Sequence, residues 1–210
     1  WCRSRVHHTG TSHDRSRGKD VPITGLDSAA VRFKALHELA AHSIAFTVTK
    51  MTHIAQIRIP ATYMRGGTSK GVFFRLQDLP EAAQVPGAAR DALLLRVIGS
   101  PDPYGKQIDG MGGATSSTSK TVILSKSARA DHDVDYLFGQ VSIDKPFVDW
   151  SGNCGNLSAA VGPFAISNGL VDADRVPKDG VAIVRIWQVN IGKTIVAHVP
   201  IANGAVQETG

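Results

Sequence analysis

Three stretches of this chain gather small residues around a reactive or cationic side chain: Arg65-Gly-Gly-Thr-Ser-Lys-Gly71, Gly110-Met-Gly-Gly-Ala-Thr-Ser-Ser-Thr-Ser-Lys120 and Ser151-Gly-Asn-Cys-Gly-Asn156. Neither of the first two is a phosphate-binding P-loop, because the lysine is not followed by Ser or Thr after the required glycine spacing. Gly110–Gly113 does not fit the dinucleotide fingerprint either. What the three share is a density of backbone N–H groups unobstructed by side chains, with hydroxyls and a cation beside them. That combination suits carboxylates, which take several charge-assisted donors at short range. One such run is ordinarily a turn. Three of them, each with a cation or a thiol, point to a site.

Cys154 is the sharpest single residue. It stands at the expected start of a helix, between Gly152-Asn153 and Gly155-Asn156. A helix N-terminus offers unpaired N–H groups and a field that favours negative charge on sulfur. Glycine neighbours let a substrate approach the backbone closely. A lone cysteine is more often buried and structural, but glycines and asparagines are poor company for an apolar burial site. Other chemistries find less support. His53, His132 and His198 are scattered, and residues 51–210 hold no i, i+4 histidine pair or C-x-x-C spacing, so no metal is expected. No G-x-S-x-G elbow suggests a serine hydrolase.

The elements that must position these residues follow from periodicity. An extended run over Ile54–Tyr63 is interrupted by Pro60, which favours a sheet edge. Arg65–Gly71 reads as a turn and Val72–Phe74 as renewed strand. Ala88–Ile98 is expected to be a helix with Leu93, Leu94, Val97 and Ile98 on one side. Ser100–Ser119 is long and poor in apolar residues, more in keeping with a functional loop than a spacer. Strands are expected at Thr121–Leu124 and Tyr136–Ile143. Gly155–Asn168 places Leu157, Ala160, Val161, Phe164 and Ala165 on one helical face, with a kink expected at Pro163 and Gly169 past the end. Val181–Val189 and Lys193–Val199 read as a hairpin. The class is α/β or α+β, rich in strand.

Composition bounds the rest. The chain has 210 residues, enough for one ordinary domain, and is 42% hydrophobic. Its net charge of +5 belongs almost wholly to the first segment: residues 1–50 carry eight Lys or Arg against four Asp or Glu, leaving fifteen against fourteen of the totals of 23 and 18. No basic face with interleaved aromatics supports nucleic-acid binding. No apolar run spans a membrane, and two cysteines suit a reducing cytoplasm better than a disulfide framework. Residues 1–50, rich in Arg, His and Ser, are expected to be a non-native or disordered extension ahead of a domain at 51–210.

Tyr63–Gly71, Gln107–Gly113, Ser116–Lys120 and Gly152–Asn156 together closely resemble the 2-methylaconitate cis-trans isomerase family (PrpF), whose wider relatives include 4-oxalomesaconate tautomerases and methylitaconate isomerases. The resemblance runs from about Ile57 to Gly210. It implies a diaminopimelate epimerase-like domain, a curved sheet wrapped round a central helix at Gly155–Asn168, with this chain ending near the close of the first of two domains. It implies a cofactor-independent isomerase of a small unsaturated tricarboxylate, 2-methylaconitate, in the methylcitrate cycle of propionate catabolism. The full-length protein could be a homo-oligomer. Lys120, otherwise readable as a surface lysine ending a loop, is implied as a catalytic group alongside Cys154. As a base it would need burial or a neighbouring cation to lower its pKa. Carboxylates would be held by Arg65, Gly66, Gly67, Thr68, Ser69 and Lys70, by Ser117 and Ser119, and by Gly152, Asn153, Gly155 and Asn156. Arg65 could equally be a structural turn residue.

Overall fold

The computed structural model describes residues 56–208; the expectations for residues 1–50 and for the start of the first strand lie outside them. Eight strands make one mixed sheet: β1 (Thr62–Gly66), β2 (Ser69–Arg75), β3 (Lys120–Lys126), β4 (Val134–Val141), β5 (Val148–Asp149), β6 (Gly180–Gln188), β7 (Lys193–Ala202) and β8 (Ala205–Val206). Among the described residues three α-helices accompany them: α1 (Glu81–Gln84), α2 (Ala88–Ile98) and α3 (Gly155–Ser167). The strand order is β1-β2-β3-β4-β6-β7-β8, with β5 paired to β4. Two pairs, β2/β3 and β4/β6, are parallel, and the rest are antiparallel. Each parallel pair needs a crossover. The first crossover carries α1 and α2, the second β5 and α3.

Helix α3 explains the curvature. It packs against β1 and β2 at one end of the strand order and against β6, β7 and β8 at the other, so the sheet curls round it. All five residues of its expected apolar face are buried. They meet Phe73, Val122, Leu124, Tyr136 and Phe138 from the inner face of the sheet, with the Phe73 and Phe164 rings 5.5 Å apart between centroids. Gly162 is buried as well, because a Cβ there would lie 2.7 Å from Val199 Cγ2 and 3.0 Å from the Ala197 Cβ. The helix continues past Pro163 to Ser167, so the proline costs a backbone bond without ending it. Gly169 follows in the left-handed region at φ 68°. On the outer face, Val72, Phe74, Ile123, Val141 and Val148 pack with Leu94 and Ile98 of α2. Of the apolar stripe expected on α2, Leu93 and Val97 are half-buried and Arg90 takes part of the buried face. Arg90 donates to the Ala83 carbonyl at 2.9 Å and also to that of Gln84.

Several boundaries differ from expectation. Residues 56–61 are not strand, and β1 begins only at Thr62, past Pro60, pairing with β2 alone as a sheet edge. The supposed turn at Arg65–Gly71 is mostly strand. Its turn is Gly67-Thr68 alone, closed by the Gly66–Ser69 pair with Gly67 at φ 51°. Strand β4 starts two residues earlier than expected, because Val134 pairs with Ile186 on β6. The gap on this edge of β4 between β6 and β5 is filled by a side chain. Asn190 Oδ1 accepts from the Phe138 N–H at 2.9 Å, and its amide donates to Phe138 O at 2.9 Å and Trp150 O at 2.7 Å, replacing a missing strand residue.

Because Phe164 fills the space between α3 and β2, Phe164→Ala is expected to lower the unfolding free energy by about 3–5 kcal/mol. Gly162→Val, which inserts methyls against β7, should cost about 1–3 kcal/mol. Urea unfolding of both variants checks this, and an unchanged midpoint would contradict the packing described.

Candidate active site

The three small-residue stretches meet at the N-terminal end of α3. Gly66 lies flat against the first turn of the helix: a Cβ there would stand 2.3 Å from Asn156 O and 2.9 Å from Leu157 Cα. No residue with a side chain fits that approach. The turn beyond it is tied down by Asn156, which donates to Thr68 Oγ1 at 3.0 Å. Ser69, buried, brings its hydroxyl within 3.7 Å of the Cys154 sulfur, which donates to it. The second stretch joins through the backbone, Lys70 N–H donating to Ser117 O at 2.9 Å.

Cys154 is the N-cap of the 13-residue α3, with extended backbone and no side-chain cap on the helix. Its carbonyl opens the helix, accepting from Ser158 N–H and from Ser158 Oγ, each at 3.1 Å, and from the Tyr136 hydroxyl at 3.4 Å. The side chain that caps most helices is thus replaced by a thiol, and the first-turn N–H groups have no side-chain acceptor to satisfy them. Beside it, Asn153 Oδ1 is buried with no hydrogen-bond partner. Burial, and after it the charge on Cys154, pushes the Tyr136 phenol well above the usual tyrosine range.

Lys120 arrives by strand alternation. Residues 120, 122 and 124 of β3 and 136, 138 and 140 of β4 face the concave side that holds α3, as the burial of Val122, Leu124, Tyr136 and Phe138 against the helix records. Lys120 is 8% exposed, like Cys154. Its Nζ donates to Gln140 Oε1 at 2.7 Å and sits 5.1 Å from the centroid of the Phe138 ring. Gly71 makes room: a Cβ there would meet Lys120 O at 3.1 Å and Leu157 Cδ1 at 2.9 Å, between the lysine and the helix. Amine and thiol therefore project onto the same concave face, at the end where α3 begins.

One expected contact is corrected. Ser119 lies in the bend ahead of β3, fully buried, and its hydroxyl is taken up by Gln107 Oε1 at 2.8 Å instead of a carboxylate. Its role is to hold the loop before β3. Arg65 is exposed and its Nε donates to Gly67 O at 2.8 Å, a turn contact. Lys70, also exposed, is its direct partner across the hairpin, so two cations face one another there. Ser117 is exposed, and a Cβ on Gly152 or Gly155 would meet nothing within 4 Å, so both glycines border open space. Three residues went unsuspected: Gln140, Asn190 and Gln107, whose amide spans Ser100 Oγ, Ala114 N–H and Ser119 Oγ. A glutamine or asparagine surrounded by ordinary strand or loop residues gives no signal of such a role in a single sequence. A concavity of about 640 Å³ lined by residues such as Arg96, Asp102 and Lys106 holds neither Lys120 nor Cys154, though Ser100, the partner of Gln107, lines it. Among the described residues no three His, Cys, Asp or Glu side chains cluster as metal ligands would, and no helix is long and apolar enough to cross a membrane.

Known proteins similar to this chain fall in one family. The family model described as PrpF protein matches residues 56–210. A 2-methyl-aconitate isomerase of Cupriavidus necator is 86% identical over 160 residues, covering 76% of this chain and 40% of that protein. A 4-oxalomesaconate tautomerase of Pseudomonas putida is 51% identical over 157 residues, covering 75% and 41%. The crystal structure of a methylitaconate-delta-isomerase matches with a TM-score of 0.66 at 44% identity, over 74% of this chain and 38% of that one. The chain thus spans about two fifths of the length of each.

The raised Tyr136 value has a consequence for stability. In the unfolded chain the phenol loses its proton near pH 10, while the folded chain still holds it, so stability is complete below about pH 10 and is lost as pH rises beyond it. Tyr136→Phe should flatten this alkaline decline, read as urea midpoints at about pH 9 and pH 11; parallel declines in both proteins would contradict it. Gly66→Ala should destabilise by about 1–3 kcal/mol and loosen the hairpin tip from α3, seen as faster reaction of Cys154 with a thiol reagent.

Proposed function

This chain belongs to the PrpF protein family, and on that premise we propose that it carries the reacting residues of an isomerase that moves a proton on 2-methylaconitate. In this substrate a carbon–carbon double bond bears carboxylates, and rotation about it is too slow unaided. Lys120, as the neutral amine, takes a proton from the allylic carbon. The C–H electron pair passes into the conjugated system and onto a carboxylate, which lowers the double-bond character. The frame turns, and the thiol of Cys154 delivers a proton back to carbon, with Lys120 and Cys154 exchanging the proton afterwards. Atoms and charge balance with proton transfer alone, so the reaction as written calls on no metal, flavin or nucleotide. Each proton-transfer group contributes on the order of 10²–10⁴-fold.

The observation that carries this reading is that a lysine amine and a cysteine thiol from distant parts of the chain share one concave face at a helix N-terminus. Carboxylates would be received by the uncapped first-turn N–H groups of α3 at Gly155 and Asn156 and by the Gly66–Ser69 backbone, whereas Arg65 and Lys70 share the parity of the outward-facing Val72 and Phe74 and stand on the other side of the hairpin. On this reading Gly152, Asn153 and Ser117 would complete the site. The higher identity to the 2-methyl-aconitate isomerase than to the 4-oxalomesaconate tautomerase favours the first substrate. A second reading follows from the share of its relatives that the chain spans. With the concave face open to water on one side, these 210 residues alone would bind anions without turnover.

Both acids, followed by ultraviolet absorbance, separate these readings when the 210-residue chain is compared with a polypeptide extended to the length of its relatives. The extended protein should isomerise 2-methylaconitate in preference to 4-oxalomesaconate. In it, Lys120→Ala and Cys154→Ser should each reduce turnover by at least about 10²-fold. Near-normal turnover in both variants would refute the assignment, and turnover by the 210 residues alone would dispose of the second reading.

A further inference from the structure

Lys120 has an amide, not a carboxylate, as its hydrogen-bond partner. Gln140 is its direct register partner across the β3–β4 ladder, and both face the concave side. The orientation of that amide is fixed from behind. Gln140 Nε2 donates to Ser119 O at 2.9 Å, and a backbone carbonyl accepts only from the NH₂ end. The Oε1 end is therefore the one presented to Nζ at 2.7 Å. Ser119 is itself immobilised: its carbonyl accepts from Val141 N–H at 2.9 Å, its N–H donates to Thr115 O at 3.0 Å, and its hydroxyl is held by Gln107.

Both fixed neighbours of the amine take hydrogen from it. An amide oxygen can only accept, and the face of the Phe138 ring attracts N–H rather than a lone pair. A neutral amine has two N–H bonds and one lone pair in a tetrahedral arrangement. With one N–H on Gln140 and the other toward Phe138, the lone pair is left on the remaining side of the nitrogen. From this geometry we propose that Gln140 is a positioning residue that acts through Lys120, turning its basic electron pair away from the sheet while supplying no counter-charge that would keep the amine protonated. The inference rests on the reading of Lys120 as a base.

Two variants of similar length separate the two halves of this role. Gln140→Glu keeps the acceptor and adds a negative charge; Gln140→Met keeps the volume and removes the acceptor. In the 210-residue chain labelled with ¹³C-lysine, the Lys120 Cε signal, assigned by its loss in Lys120→Ala, is followed over pH. Gln140→Glu should move its titration midpoint upward by at least about one pH unit, the size expected for an opposite charge at this range. Gln140→Met should move it downward. In the polypeptide extended to the length of its relatives, the pH at which kcat rises should move upward with Gln140→Glu, and Gln140→Met should lower kcat at least tenfold with KM little changed. Superimposable Lys120 titrations in the parent chain and both variants would overturn the proposal. A shifted titration that the kcat profile does not follow would uphold the contact between the two side chains and refute Lys120 as the base, so failure of this inference and failure of the functional reading give different results. If Gln140→Met loses the native circular dichroism, Gln140→Glu alone decides.

Discussion

This end of the molecule depends on the seating of a hairpin on the start of a helix. At Gly66 the backbone of β1 comes so near to Asn156 and Leu157 that a single added carbon would overlap the helix carbonyl. Everything that gathers at this end depends on that approach. It brings Ser69 to the Cys154 sulfur, sets Thr68 under the Asn156 amide, and places Gly71 where Lys120 and Leu157 leave no room for a side chain. Helix packing through large side chains would hold the strands several ångströms farther away. The glycines here act by letting two backbones touch.

A curled sheet with a helix inside sorts residues by parity. Along β3 the even positions look inward and the odd positions outward, so Lys120, Val122 and Leu124 reach the concave face while Ile123 packs behind the sheet. A one-residue slip would exchange them. The register of this strand is held by a full ladder to β4 and by the parallel pairing to β2. Chemistry and stability are thus not separate regions. The ladder that buries Val122 and Leu124 also determines which side of the sheet receives the amine.

What was legible in the sequence is whatever repeats or breaks a repeat. The apolar spacing of α3 and the Gly169 stop are local signals, and so are the β6–β7 alternation and the extent of α2; all are found in the structure. Cys154 stands out by its glycine and asparagine neighbours, but the burial they argue against is found: its side chain lies with the core residues of the inner face. The resemblance to a known family, rather than periodicity, singled out Lys120. The illegible part is carried by three amides, Gln107, Gln140 and Asn190. Each bonds partners drawn from other elements or from several points of a loop, and such partners are chosen by the fold rather than by spacing. The Ser119 expectation failed for a related reason. Its hydroxyl belongs to the loop ahead of β3 and is engaged in no periodic pattern by an amide twelve positions back, Gln107.

Asn190 mends the ladder beside β4 with an amide that both gives and accepts hydrogen. Slow hydrolysis of that group to a carboxylate, a familiar form of protein ageing, would leave chain length and volume almost unaltered. The Phe138 N–H would still find an acceptor, but the carbonyls of Phe138 and Trp150 would lose their donor and confront a negative charge. The damage would arise at a hairpin tip and be felt along the strand that carries Gln140, so a change at one turn residue would reach the concave face through the ladder beside it.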